Sequence, residues 1–381
     1  MRSDPLTGPA HVDSFVLIQN TPATDQFITG GLSLTNSGDG TVAVTTPGNQ
    51  TITAFSGGVS LATSSPIPGT IVTTGSAAVT AGGNQFIRAQ FVDVGTGDST
   101  TGNASLAATG NQWIHTTSGT SSFSGNSMRV AALGSGTASV TAGASQLLEL
   151  DYPEQMQGGA GGTLMVGDVN ALGISRVKAA DQNIFARSIT VQSGGNNTIS
   201  ELKATNTQTI TTLQGAINVF GGSGDNSLAQ IDPVTQMILV NGPVEIMGGS
   251  GINAIAQILN GTGTQTIIAT NGNITLTGGT GAGADALITS LGTQTIGSTG
   301  AITLAPVVGG GNAGISPLGN PPPGCAPCLV TNVATSSSTV SNFATTPVLT
   351  TEAALDETLV EITPAAAATE EPILGRAPVC R

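Results

Sequence analysis

Three acids within six positions, Glu149, Asp151 and Glu154, are the residues of this chain best suited to covalent chemistry. Carboxyl pairs about 5–10 Å apart hydrolyse glycosidic bonds, one as acid and the other as nucleophile or base. Arg88, His115 and Arg187 are the basic side chains that a shared face would bring beside them to hold an acidic sugar. Against this, one stretch of chain supplies all three acids and no second stretch echoes them. Pairing of Glu149 with His115 and of Asp151 with Arg187 accounts for the group without catalysis. The expectation is a non-enzymatic protein, with a carbohydrate-active β-helix enzyme (polysaccharide lyase or hydrolase) using Glu149 and Asp151 as the alternative.

Other chemistry is weaker still. Cys325, Cys328 and Cys380 are too few for a closed tetrahedral zinc site. The Cys325-Ala-Pro-Cys328 pair lies in a Pro-rich stretch, not at a strand-to-helix junction, which argues against a thioredoxin-like role. A disulfide is expected, either within that pair or from one of the two to Cys380, and with it an oxidising compartment. Asp225 and Asp285 sit in Gly-rich turns as in nonapeptide calcium repeats, but aspartate does not recur at nine-residue steps. No Gly-rich run is followed by Lys-Ser or Lys-Thr, and His11 and His115 stand apart. No cofactor and no metal are expected.

The elements that position these residues announce themselves by repetition. Gln208-Thr-Ile210, Gln236-Met-Ile238, Gln265-Thr-Ile267 and Gln294-Thr-Ile296 recur at separations of 28, 29 and 29 residues. After each comes a glycine with an alternating apolar pair, as in Gly272-Asn-Ile274-Thr-Leu276. In three of the four units a Gly-Gly follows, then an Asn or Asp two residues before an aliphatic, as in Asn253-Ala-Ile255. Short period-2 runs broken by Gly, Asn and Asp read as strands. Three strands per repeat, stacked repeat on repeat, is a parallel β-solenoid.

The glutamine marker continues backward as Gln182, Gln146, Gln112, Gln85, Gln50 and Gln26. That makes ten coils of a single-stranded, all-β parallel β-helix, six irregular and four regular. The uneven spacing is expected from extra residues looped out at one corner. At about 4.8 Å per coil the rod is roughly 50 Å long. Glutamine and the isoleucine two positions on point inward, and the glutamines form an amide ladder in which each amide finds its partner in the next coil.

By the same parity the residue after each glutamine points outward. Phe86, Trp113, Leu147 and Asn183 then form one column, and Arg88, His115, Glu149 and Phe185 the next. Phe86, Arg88, Trp113 and His115 are the candidate ligand contacts, with ordinary stacked surface pairs as the alternative reading.

Composition narrows the partners. Gly is 54 of 381 residues, charged residues are only 8%, and the net charge is −13 with nine Lys and Arg. Too few cations are available for a nucleic-acid groove, and no apolar run is long enough for a membrane-spanning helix. Four segments emerge: a lead-in strand over 1–23, the shaft over 24–306, a Pro/Gly/Ser/Thr-rich linker over 307–351, and an acidic tail over 352–381. In the tail, Leu355, Leu359 and Ile362 fall on one face of a short helix.

The Gln-x-Ile, Gly-x-Ile-x-Val and Gly-Gly cadence, with Thr, Asn and Ser outside, resembles the shafts of filamentous haemagglutinin-like adhesins, exoproteins of the two-partner secretion type. The end of the chain, from Pro323-Gly-Cys325-Ala-Pro-Cys328 to Arg376-Ala-Pro-Val-Cys380-Arg, looks like the C-terminal ends of such proteins. The resemblance implies a right-handed β-helix rod, an outer-membrane transporter as export partner, and attachment or aggregation at the cell surface through a surface glycan or protein. Members of that family begin with a signal peptide and a secretion domain carrying Asn-Pro-Asn. Neither is present here, so the expectation is the C-terminal part of a longer secreted rod.

Overall fold

A computed structural model describes residues 16–19, 25–36, 40–54, 58–63, 74–97, 101–117, 127–150, 162–317 and 360–362. These residues form a right-handed parallel β-helix of ten coils. Each coil contributes one strand to each of three sheets, called A, B and C in chain order. In one regular coil the strands are Ile199–Ala204 in A, Thr207–Thr212 in B and Ile217–Phe220 in C. Between the two ends of the rod each strand pairs in parallel with its equivalent in the coils before and after, so the backbone donors and acceptors inside the rod are used coil to coil.

The glutamines stand in register along sheet B from Gln26 to Gln294. Beyond Gln26 they are buried, and each Nε2 donates to the Oε1 of the glutamine one coil earlier at 2.6–3.1 Å. The amides therefore satisfy one another in a dry interior, where an unpaired amide is costly. Beside them run the isoleucines and Leu148, from Ile52 to Ile296, all fully buried. Alternation of inward and outward side chains does the sorting, because a one-residue slip would turn every glutamine to solvent.

The corner from sheet C to sheet A needs special backbone. Asn197, Asn226 and Asn253 take left-handed φ values of 58°, 55° and 54° in successive coils, and Gly283 takes their place in the next at 68°. Asparagine tolerates this region better than other side-chain-bearing residues. The Gly-Gly that precedes each is a packing requirement. A Cβ on Gly249 would lie 1.9 Å from the Gly222 carbonyl oxygen one coil below.

Three expectations are corrected. The strands run past both ends of the shaft read from sequence: Val16–Gln19 pairs with Thr41–Thr46, and Ala313–Pro317 pairs with Ala286–Ser290 to begin an eleventh turn. The extra residues of the irregular coils fall at two corners, not one: 64–73 lies between a sheet C and a sheet A strand, 118–126 and 151–161 between sheets B and C. Val360–Ile362, read as the end of a helix, is a strand antiparallel to Gln294–Ile296. An open sheet edge offers unpaired backbone groups that recruit a strand; Ile362 fits the helical face of Leu355 and Leu359, but with Val360 it fits the period 2 of a strand equally well. The rest of the expected helix, and Cys325, Cys328 and Cys380, lie outside the described residues.

Sheet A carries a charged cluster on its outer side. Glu201 is 3% exposed; it accepts from Arg176 Nε at 2.6 Å and lies 3.2 Å from Lys203 Nζ, which also reaches Asp232 at 2.5 Å. Gln230 and then Gln257 continue this column with amide hydrogen bonds. Burial raises the Glu201 pKa, but Arg176 and Lys203 more than offset it, so the carboxyl sits below its usual range. A depressed carboxyl contributes stability that is complete above its unfolded value and lost as pH falls through the folded one. Glu201→Gln should therefore lower the melting temperature near neutral pH, with the deficit shrinking towards about pH 3. Equal deficits in thermal melts at both pH values would show that the charge of Glu201 contributes nothing.

Candidate functional site

The site is built on the outward column of sheet B in the first six coils. Cα register places Phe27, Thr51, Phe86, Trp113, Leu147 and Asn183 in one file. Strand alternation turns these side chains out while their neighbours fill the core. Phe27 is 74% and Trp113 41% exposed. The Phe86 and Trp113 rings meet edge to face, with centroids 4.7 Å apart and planes at 71°. That is a favoured aromatic geometry.

An asparagine file borders the aromatic one. Asn49, Asn84 and Asn111 each precede the ladder glutamine of their coil. Asn49 Oδ1 accepts from the Asn84 backbone N–H at 2.9 Å, Asn84 Oδ1 from that of Asn111 at 2.9 Å, and Asn111 Oδ1 from that of Ser145 at 3.1 Å. The carbonyl halves are thereby fixed along the corner, and the Nδ2 groups of Asn84 and Asn111 keep their donors. Between the two files lies an open groove of about 680 Å³ reaching from Phe27 to Asn183.

Of the four candidate contacts, Phe86 and Trp113 line this groove, whereas Arg88 and His115 lie in the next column over. His115 is only 8% exposed. Its Nδ1 is 3.4 Å from Glu149 Oε2 without hydrogen-bond geometry. The same Glu149 oxygen accepts from Trp113 Nε1 at 2.7 Å, which fixes the indole. Glu149 thus serves as a brace between coils. Asp151 and Glu154 lie outside the described residues, so the proposed carboxyl pair is represented by Glu149 alone. Among the described residues no group of three His, Cys, Asp or Glu is placed to hold a metal ion.

Two features escaped the sequence reading. Phe27 extends the aromatic column by two coils, and it carries the same Gln-Phe-Ile signature as Phe86. The asparagine file was also visible, as Asn-Gln at 49–50, 84–85 and 111–112. In the regular coils the corresponding outward residues are Thr209, Met237, Thr266 and Thr295, so the aromatic face belongs to the first half of the rod. Comparison with protein-family models, curated proteins and solved structures gives no match to this chain.

Proposed function

We propose that the protein is a non-enzymatic adhesive rod, secreted or displayed at a bacterial cell surface, in which the β-helix holds a binding face away from its point of attachment. The observation that carries this reading is the outward column of sheet B, in which Phe27 and Trp113 stand exposed and the half-buried Phe86 packs against Trp113. Exposed rings gathered on one face are where binding energy concentrates on a protein surface. The core contributes by rigidity, since neighbouring coils lock each outward side chain to its register. The resemblance to filamentous haemagglutinin-like shafts supports the same role, with an outer-membrane transporter as the export partner.

The test is adhesion of cells to surfaces coated with purified protein. Replacing Phe86 and Trp113 together by Ala should cut retained cells about tenfold or more, given the usual cost of removing aromatic anchors, while melting stays near that of the unaltered chain. Undiminished adhesion by the folded double variant would overturn the assignment of this face.

A further inference from the structure

The groove between the aromatic and asparagine files has a chemistry that selects among ligands, and the inference drawn from it rests on the adhesive reading above. Among the described residues, the only ionisable one in its lining is Asp25, at one end. On a chain with net charge −13, that disfavours sulfated or uronic polymers, which need cations to neutralise them. An added peptide strand would need an open sheet edge, and this groove overlies a sheet face whose strands are paired on both sides. Proline-rich peptides dock on aromatic grooves, but the ring N–H that would reach their carbonyls is committed here, since Trp113 Nε1 donates to Glu149. What remains is a set of apolar ring faces, the free Nδ2 donors of Asn84 and Asn111, and the hydroxyls of Thr51 and Ser145.

That inventory fits a molecule with apolar C–H faces and many neutral hydroxyls. The spacing fits as well. Groove positions repeat once per coil, about every 4.8 Å along the axis, close to the advance of one pyranose unit in an extended, equatorially linked chain. We propose that the groove binds an uncharged, unbranched polysaccharide lying parallel to the rod axis, with about one sugar per coil. Phe27 and one ring of the edge-to-face Phe86–Trp113 pair act as platforms under the sugar faces, the other ring meeting the chain edge-on, and the asparagine amides donate to ring and hydroxyl oxygens.

Trp113 is the only tryptophan of the chain, so its fluorescence reports on this groove alone. The experiment titrates the full chain with neutral β-1,4-linked gluco-oligosaccharides from disaccharide to hexasaccharide, with heparin and a polyproline peptide as competing probes. From Phe27 to its last apolar contact, Leu147, the groove spans five coils. Affinity should therefore climb with each sugar to the pentasaccharide, then level off, and change little with salt. Phe27→Ala should weaken hexasaccharide binding about tenfold, a ring-platform loss worth about 1.4 kcal/mol. Asn111→Asp keeps an acceptor for the Ser145 N–H but removes the free donor, and should weaken binding severalfold.

Preference for heparin or for polyproline, or an affinity independent of oligosaccharide length, would overturn the proposal. If no oligosaccharide binds while Phe86 and Trp113 remain necessary for cell adhesion, the ligand class falls and the adhesive reading stands. If oligosaccharides bind as described but cells do not adhere, the reverse holds.

Discussion

Gln146→Glu should be among the most damaging single substitutions in this chain at neutral pH, and it should be partly reversed by acid. Gln146 donates to Gln112 Oε1 at 2.6 Å and accepts from Gln182 Nε2 at 2.7 Å, all three being buried. A glutamate there can still accept from Gln182, but its second oxygen faces the Gln112 oxygen, acceptor against acceptor. An uncompensated buried charge of this kind costs about 3–5 kcal/mol. Burial raises the pKa of the introduced carboxyl, and on protonation it becomes a donor to Gln112. The variant should therefore gain stability relative to the unaltered chain as pH falls through that raised value. Gln146→Met supplies the comparison: it orphans one acceptor and one donor, at about 1–3 kcal/mol each, and has no pH-dependent recovery of its own. Denaturant melts at neutral and acid pH decide the matter, and a Glu variant as stable as the parent at neutral pH would refute the ladder.

Ile267→Asp should destroy the regular coils while sparing the irregular ones. Ile267 is fully buried between Ile238 and Ile296, and no cation among the described residues is placed to reach it. The substitution exchanges a buried aliphatic, worth about 1.5–3 kcal/mol, for a buried carboxylate costing several kcal/mol more on the scale of about 3–5 kcal/mol. Coils in a solenoid touch only their neighbours, so damage of this size can be confined to part of the rod. Trp113 lies five coils from Ile267 in the stack, with the strands of Leu148, Ile184, Ile210 and Ile238 between them. Far-UV circular dichroism should therefore lose a large share of its strand signal while Trp113 fluorescence remains native. Loss of both signals in one transition would show that the ten coils behave as a single cooperative unit.

How far the sequence could be read depends on which side of the strand a residue lies. Inward positions obey one rule along the whole rod, so the glutamines from Gln26 to Gln294 and the aliphatic column beside them revealed the coil number, the register and the face of every residue in sheet B. The outward column of Phe86, Trp113 and Leu147 followed from the same parity. Outward ion pairs follow no such rule. Arg129 reaches Asp93, 36 positions away, with Nε 3.0 Å from Oδ1, and this pair could not be found before the register of sheet C was known. The Glu201 cluster was hidden for the same reason. Val360–Ile362 was misread because its local pattern suits two conformations, and the choice was made by an open edge some 65 residues away in sequence. Arg88 and His115 were placed in the right column, but parity says nothing of depth, and the Glu149 brace beside His115 belongs to the packing of side chains across coils.

The uniform direction of the glutamine column has a consequence at its two tips. Every carboxamide points its nitrogen toward the start of the chain, so turning one over would set oxygen against oxygen on one side and nitrogen against nitrogen on the other. All ten must flip together or none. At the far tip Gln294 Oε1 is buried without a partner among the described residues, whereas Gln26 at the near tip is only half buried. A stranded carbonyl oxygen is a milder defect than a stranded amino group with two hydrogens to place. The observed sense puts the milder defect where water is excluded and the more demanding group where water can reach it.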